Sequence, residues 1–197
     1  MLEEASADPI NEVLDYEQAS LDPFYQEAWS RMQKLRRLAH ELCDDYWFEH
    51  HRMRREAQKR WERPLFGCKV REGKIKITPI WFVYKFSNNG KHAFPQVLKP
   101  TSYLPARYSM AVFQTAPRSE YELIARIEEQ FIPIRGHAEV MSRLFAMLRA
   151  NEVRALQIAG RTEAEVKEIQ RDRDRRMVMF TSTEERARSS AARRGKL

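Results

Sequence analysis

The sequence predicts an α+β fold, in which a long N-terminal helix packs with a small antiparallel sheet and two further helices. Three observations carry that expectation. Phe24 to Arg63 run without Gly or Pro, fenced by Pro23 and Pro64. The stretch from Lys69 to Leu98 is rich in β-branched and aromatic residues and is punctuated by Gly73 and Asn88-Asn89-Gly90, which favour tight turns. From Pro117 to Leu156, apolar residues recur at three- and four-residue steps, the period of a helix with one buried face.

Taken in order, Met1 to Leu21 is acidic and irregular, with one short helix candidate at Asn11 to Tyr16. Asp22-Pro23 supplies an N-cap and a first-turn proline. The following stripe (Phe24, Ala28, Met32, Leu35, Ala39, Cys43, Tyr46) is dense up to Trp47-Phe48 and thin beyond. A helix of this length would extend roughly 60 Å. The alternation Lys74-Ile75-Lys76-Ile77-Thr78 reads as a half-buried strand with both lysines on its solvated face. Ile80 to Phe86 continues it, and Pro79 and Pro95 imply edges or bulges. Ala93 to Leu98 returns antiparallel, and Ser102 to Phe113 offers a second pairing, interrupted by Pro105.

Ser119 with Glu122 fits a capping box for the next helix, built on Leu123, Ile124, Ile127 and Phe131. Pro133 and Gly136 are expected to break it. His137 to Leu156 resumes with Val140, Met141, Leu144, Phe145, Met147 and Leu148 as core, and Gly160 caps its end. Thr162 to Arg176 is a charge-alternating helix candidate, and the Ser-, Ala- and Arg-rich end is expected to be disordered. The organisation expected is an acidic flexible leader (1–21), one α+β domain (22–160) and a charged, helical-to-disordered tail (161–197).

With 197 residues, a net charge of +7 and a pI near 9.5, the chain suits polyanionic or acidic partners. The charge is polarised: the first thirty residues hold no Lys or Arg, so all 35 lie beyond Ser30. Cys43 and Cys68 form neither a CxxC pair nor a disulfide framework, which favours a reducing, cytoplasmic setting. No signal peptide opens the chain and no run of eighteen apolar residues could span a membrane.

Catalytic motifs are missing from the sequence. Asp44, Asp45, Glu49, His50 and His51 cluster one turn beyond His40, but not at HExxH spacing, so a polar helix face is the ordinary explanation and no metal or cofactor is expected. Six glycines provide no phosphate-binding loop, and no nucleophile has a partner motif, so an enzyme is not expected. The aromatic residues Trp47, Trp61, Trp81, Phe82, Tyr84 and Phe94 read as core before they read as base-stacking platforms. Cations are another matter. Arg52, Arg54, Arg55, Lys59 and Arg60 on the long helix, with Arg71, Lys74 and Lys76 in the strand region, form the expected contact set for double-stranded DNA. The alternative is a protein-interaction adaptor whose helix pairs with a partner helix; a homodimer is one such arrangement.

The string Lys74-Ile75-Lys76-Ile77, Ile80-Trp81-Phe82 and Phe86, then Tyr103-Leu104-Pro105 with Arg107-Tyr108, then Glu120, Glu128, Phe131 and Ile134-Arg135 resembles the MobI-type conjugative mobilisation proteins. The pattern covers Trp61 to Arg135. The resemblance implies an auxiliary factor that acts with a relaxase, or with other conjugation proteins, at the origin of transfer. It implies no catalytic residue.

Overall fold

A computed structural model describes residues 9–73, 75–87, 92–103 and 106–177, with backbone alone at 9–20, 87, 92 and 103. The fold is α+β, as the sequence predicts. Helix α1 (Pro9–Glu56) leads into a 3-10 turn at Arg60–Glu62. Strands β1 (Phe66–Glu72), β2 (Ile77–Ser87) and β3 (His92–Val97) form an antiparallel sheet in the order β1-β2-β3. A two-residue pair, β4 (Ser102–Tyr103) with β5 (Ala106–Arg107), and a 3-10 turn at Met110–Phe113 lead to helix α2 (Arg118–Ile158). A third helix, α3, covers 163–177.

The chain divides into two compact units, one made of Met1–Arg31 with Arg143–Leu197, the other of Met32–Ser142. The first is helical in its described part. Tyr25, Ala28, Trp29, Phe145, Leu148, Leu156, Val166 and Met177 are buried in it. Arg173, itself buried, meets Asp22 at 3.1 Å and also pairs with Glu152, while its guanidinium lies 4.5 Å from the centre of the Tyr25 ring. Gly160, at φ +73°, closes α2 as expected: the Arg161 N–H donates to the Leu156 carbonyl, a turn that only a left-handed residue allows cheaply. Thr162 then caps α3, its hydroxyl and amide both bonded to the Glu165 carboxylate.

The second unit holds the sheet. Phe66, Cys68, Ile77 and Trp81 share its inner face, where Tyr46 of α1 meets the Trp81 ring edge-on at 5.1 Å and Phe131 of α2 meets it at 5.8 Å. Pro79 sits opposite Val70 of β1, in the part of β2 that β3 does not reach, so its missing N–H costs the ladder nothing. Pro95 lies on β3, an edge strand, as expected. The Asn88–Gly90 turn lies outside the described residues, but the Ser87–His92 pairing closes the hairpin register.

The side chain of Trp47 curls around the edge of β1. Its Nε1 donates to the Cys68 carbonyl at 3.0 Å, and its ring comes to rest against Gly67 and Phe82 on the outer face. A Cβ at position 67 would stand 2.4 Å from the Phe82 ring and 2.9 Å from the Trp47 ring. Gly67→Ala is therefore expected to lose about 1–3 kcal/mol of stability, the usual cost of overpacking. Urea titration of the two proteins checks this, and an unchanged midpoint would show that the rings give way freely.

Several expected boundaries moved. α1 starts at Pro9, takes in the Asn11–Tyr16 segment and carries Pro23 inside. The missing bond at Pro23 is outweighed locally by Tyr25, Ala28 and Trp29, all buried within the next two turns. The same helix stops at Glu56 rather than Arg63. There the Glu62 carboxylate accepts from the backbone N–H groups of Gln58 and Lys59, each at 3.0 Å, and turns the chain. α2 begins at Arg118, ahead of the expected Ser119 cap, and runs unbroken through Pro133 and Gly136, held by the buried Phe131, Ile134, Arg135 and Ala138. Val140 and Met147, expected in the core, are exposed. The strand expected from Lys74 begins later, at Ile77. The Gly73 N–H donates to the Lys76 carbonyl at 2.7 Å, ahead of the first residue of β2.

Candidate nucleic-acid interface

α1 ends in its cations. Arg54 and Arg55 occupy its last turn, exposed, where positive charge also complements the carbonyl end of the helix. Neither forms an ion pair among the described residues. Lys59 follows, its Nζ 4.7 Å from the centre of the exposed Trp61 ring. Arg60 and Arg63 are exposed beside it and likewise unpaired among the described residues. Glu62, the nearest acid in sequence, is committed to the backbone of Gln58 and Lys59. Arg52 differs from its neighbours: Glu49 holds it at 2.6 Å and Glu56 lies at 3.9 Å, so its charge is largely answered within the helix.

The strand-region candidates form a second group. Arg71 on β1 and Lys76 just ahead of β2 line one cleft of about 480 Å³, whose floor includes Ile80, Leu98 and Tyr108. Lys76 is partly neutralised by Glu139 at 3.4 Å. The expected pairing of Lys74 with Lys76 on one strand face does not exist, because Lys76 precedes the strand; Lys74 lies outside the described residues. Lys69, which the expected contact set leaves out, stands exposed beside Arg71 on the same face of β1. Its odd-numbered parity with Arg71, read from β1 instead of from Lys74, is the signal that could have found it.

The acid and histidine cluster on α1 does not converge. His40 Nε2 meets Glu72 Oε1 at 2.6 Å, not Asp44, and that bond, aided by Arg36, holds the Glu72 carboxyl below its usual range. Among the described residues no group of three or more His, Cys, Asp or Glu is placed to hold a metal ion. Cys43 and Cys68 are both buried free thiols, and burial raises the Cys68 thiol far above its ordinary value.

His50 is only 2% exposed, packed between Tyr46 and Trp47, and neither ring nitrogen has a hydrogen-bond partner. Burial, then the neighbouring His51 and Arg54 charges, lowers its pKa to about 4. The unfolded chain therefore binds the extra proton first, and His50 costs stability as pH falls from its unperturbed value of about 6.5 towards 4. Comparing denaturant unfolding of the wild type and His50→Leu is expected to show the wild type gaining on the order of 2 kcal/mol relative to the variant between pH 5 and pH 7. A parallel pair of pH profiles would remove His50 from the acid response.

The buried polar groups explain what the aromatic, acidic and basic string is for. Glu128 and Arg135, one behind the other on α2, form a bidentate pair at 2.8 and 2.9 Å. Glu128 also accepts from Trp81 Nε1 and from the Tyr108 N–H, and Arg135 donates to the Pro79 and Ala106 carbonyls. Nearer the start of α2, Glu120 accepts from the Tyr46 hydroxyl and from the N–H groups of Leu65 and Phe66. Burial raises the Glu120 carboxyl above its usual value even so. These acids tie α2 to β1, β2 and the 106–108 segment without any of them facing solvent.

The site is thus an α+β body held by buried acid ties, with an exposed cationic segment at the end of α1 that has no ion pairs among the described residues. The chain belongs to the MobI family: the model for MobI protein matches residues 35–149, more than half its length. That family's role is accessory, in conjugative mobilisation. No curated protein matches the chain, and no solved structure does. No helix among the described residues is long and apolar enough to cross a membrane.

Proposed function

We propose that this chain is a DNA-binding accessory factor of conjugative transfer that acts in the cytoplasm at the origin of transfer, where it recruits or positions a relaxase and performs no chemistry of its own. The observation that carries the reading is the run Arg54, Arg55, Lys59, Arg60 and Arg63, exposed and without carboxylate partners among the described residues. Cations left unpaired at a surface exchange their counterions for phosphates at little cost, whereas a paired residue such as Arg52 must first give up its glutamates. Arg71 and Lys76 would extend the same contact to the sheet.

Duplex carrying the origin of transfer, titrated at rising salt, tests this. Neutralising about four phosphates gives a slope of about −3.6 in log K against log salt. Failure to bind at low salt would leave the chain's cations as a solubility device and favour the helix-pairing adaptor. Co-sedimentation of relaxase with the DNA-bound chain tests recruitment separately.

A further inference from the structure

The outer face of the three-stranded sheet holds a second arrangement, one that duplex contacts along α1 do not use. α1 and α2 pack on the inner face, where Trp81 points. On the other face, β2 turns out Phe82, Tyr84 and Phe86 at alternate positions, about 6.7 Å apart along an extended strand. Trp47, reaching round the edge of β1, extends the row: its ring lies 6.2 Å from Phe82, and Phe82 meets Tyr84 edge-on at 5.3 Å. The row opens towards solvent, from Phe82 at 6% exposed to Phe86 at 57%.

β1 continues the same face past the Phe82 end of the row with Lys69 and Arg71, opposite Ile80 and Thr78, both exposed and without ion pairs among the described residues, with Lys69 Nζ 6.0 Å from the centre of the Phe82 ring. None of the positions that β1, β2 and β3 turn to this face is Asp or Glu, whereas the inner face carries Glu72. Aromatic side chains at regular intervals, continued on the same face by free cations and clear of carboxylates, match a strand of unpaired bases running along the sheet. The rings stack on bases and the cations answer the phosphates. A duplex keeps its base faces covered and presents nothing for Tyr84 and Phe86 to stack on.

We propose that the outer face of the sheet binds single-stranded DNA, with bases on Tyr84 and Phe86 and phosphates on Lys69 and Arg71. The proposal rests on the reading that the chain works on DNA, and it names unpaired strand as a second form of that DNA, held at a surface that shares only Arg71 with the duplex contact. An acidic peptide would satisfy the cations but not the regular aromatic step.

The experiment uses the full chain with two probes: labelled oligothymidylate of about 16 nucleotides, and the origin-of-transfer duplex. Phe86→Ala, at an exposed position that leaves the fold intact, is expected to weaken oligothymidylate binding about ten-fold and leave duplex affinity unchanged. Tyr84→Phe, which keeps the ring, is expected to retain single-strand affinity. Any of four results overturns the proposal: wild-type protein that does not hold oligothymidylate at low salt, Phe86→Ala with unchanged single-strand affinity, Tyr84→Phe as weak as Phe86→Ala, or tighter binding to oligouridylate than to oligothymidylate. Loss of duplex binding on Arg54 and Arg55 reversal, with oligothymidylate still held, supports both surfaces; a chain that holds oligothymidylate but never duplex overturns the duplex reading and keeps this one.

Discussion

Glu128→Leu is expected to cost more stability than Arg135→Met, and both should fall in the range of about 3–5 kcal/mol typical of a broken buried ion pair. The order follows from what each change strands. The pair is 4% and 2% exposed, so neither partner can turn to water. Without Arg135, the Glu128 carboxylate keeps the Trp81 and Tyr108 N–H donors. Without Glu128, those two donors lose their acceptor, and the guanidinium, which does not deprotonate in proteins, stays charged in a buried site. Its stacking over Tyr108, at 4.9 Å, and its bonds to the Pro79 and Ala106 carbonyls offset only part of that. The double variant, Glu128→Leu with Arg135→Met, is expected to recover part of the loss, because two apolar side chains leave no charge behind. Chemical denaturation of the three variants measures this; additive losses would mean that the pair is not coupled as its geometry requires.

The sheet was legible in the sequence because its signals are local. Alternation, β-branched content and a glycine-bearing turn are properties of a few neighbouring residues, and Gly160 announced the end of α2 in the same way. The prolines inside the two helices mislead for the opposite reason. Pro23 and Pro133 each remove a helix bond, and the sequence alone shows that loss. What holds the helices through them is burial contributed by distant parts of the chain: Tyr25 against Phe145, and Phe131 against Trp81. Lys-Ile-Lys-Ile has the period of a strand, but β2 starts only at Ile77, and the Lys76 carbonyl instead accepts from the Gly73 N–H.

The candidate site shows the same division. The cationic run after His50 was plain from composition, yet which of its members are free was not. Arg52 is equivalent to Arg54 in composition, and only the fold shows that Glu49 and Glu56 hold it. The aromatic residues split in a way the sequence could not show: Trp81 is core, as expected, while Trp61 and Phe94 stand exposed and Trp47 leaves α1 to cover Gly67 on the far side of the sheet. The string that resembles the MobI family survives as architecture. Trp81, Tyr108, Glu120, Glu128 and Arg135 are members of the two buried networks, so this part of the string records how the fold is tied together.

Reversal of Arg54 and Arg55 to Glu together is expected to weaken duplex binding on the order of a hundred-fold at low salt and to flatten the salt dependence by about two units of slope, one for each phosphate no longer neutralised. Arg52→Gln, one turn away, is expected to change affinity by no more than about two-fold, since Glu49 and Glu56 already answer that charge. The comparison separates a specific surface from a general field. If net charge alone drew DNA to the chain, removing any arginine of this segment would weaken binding to a similar degree. Both reversed residues lie in the last turn of α1, where losing cations also costs about 0.3–1 kcal/mol of helix stability each, so thermal melts must accompany the binding curves. A folded double variant that binds duplex as tightly as the wild type would remove the end of α1 from the interface and leave Arg71 and Lys76, at the cleft beside the sheet, to account for any affinity that remains.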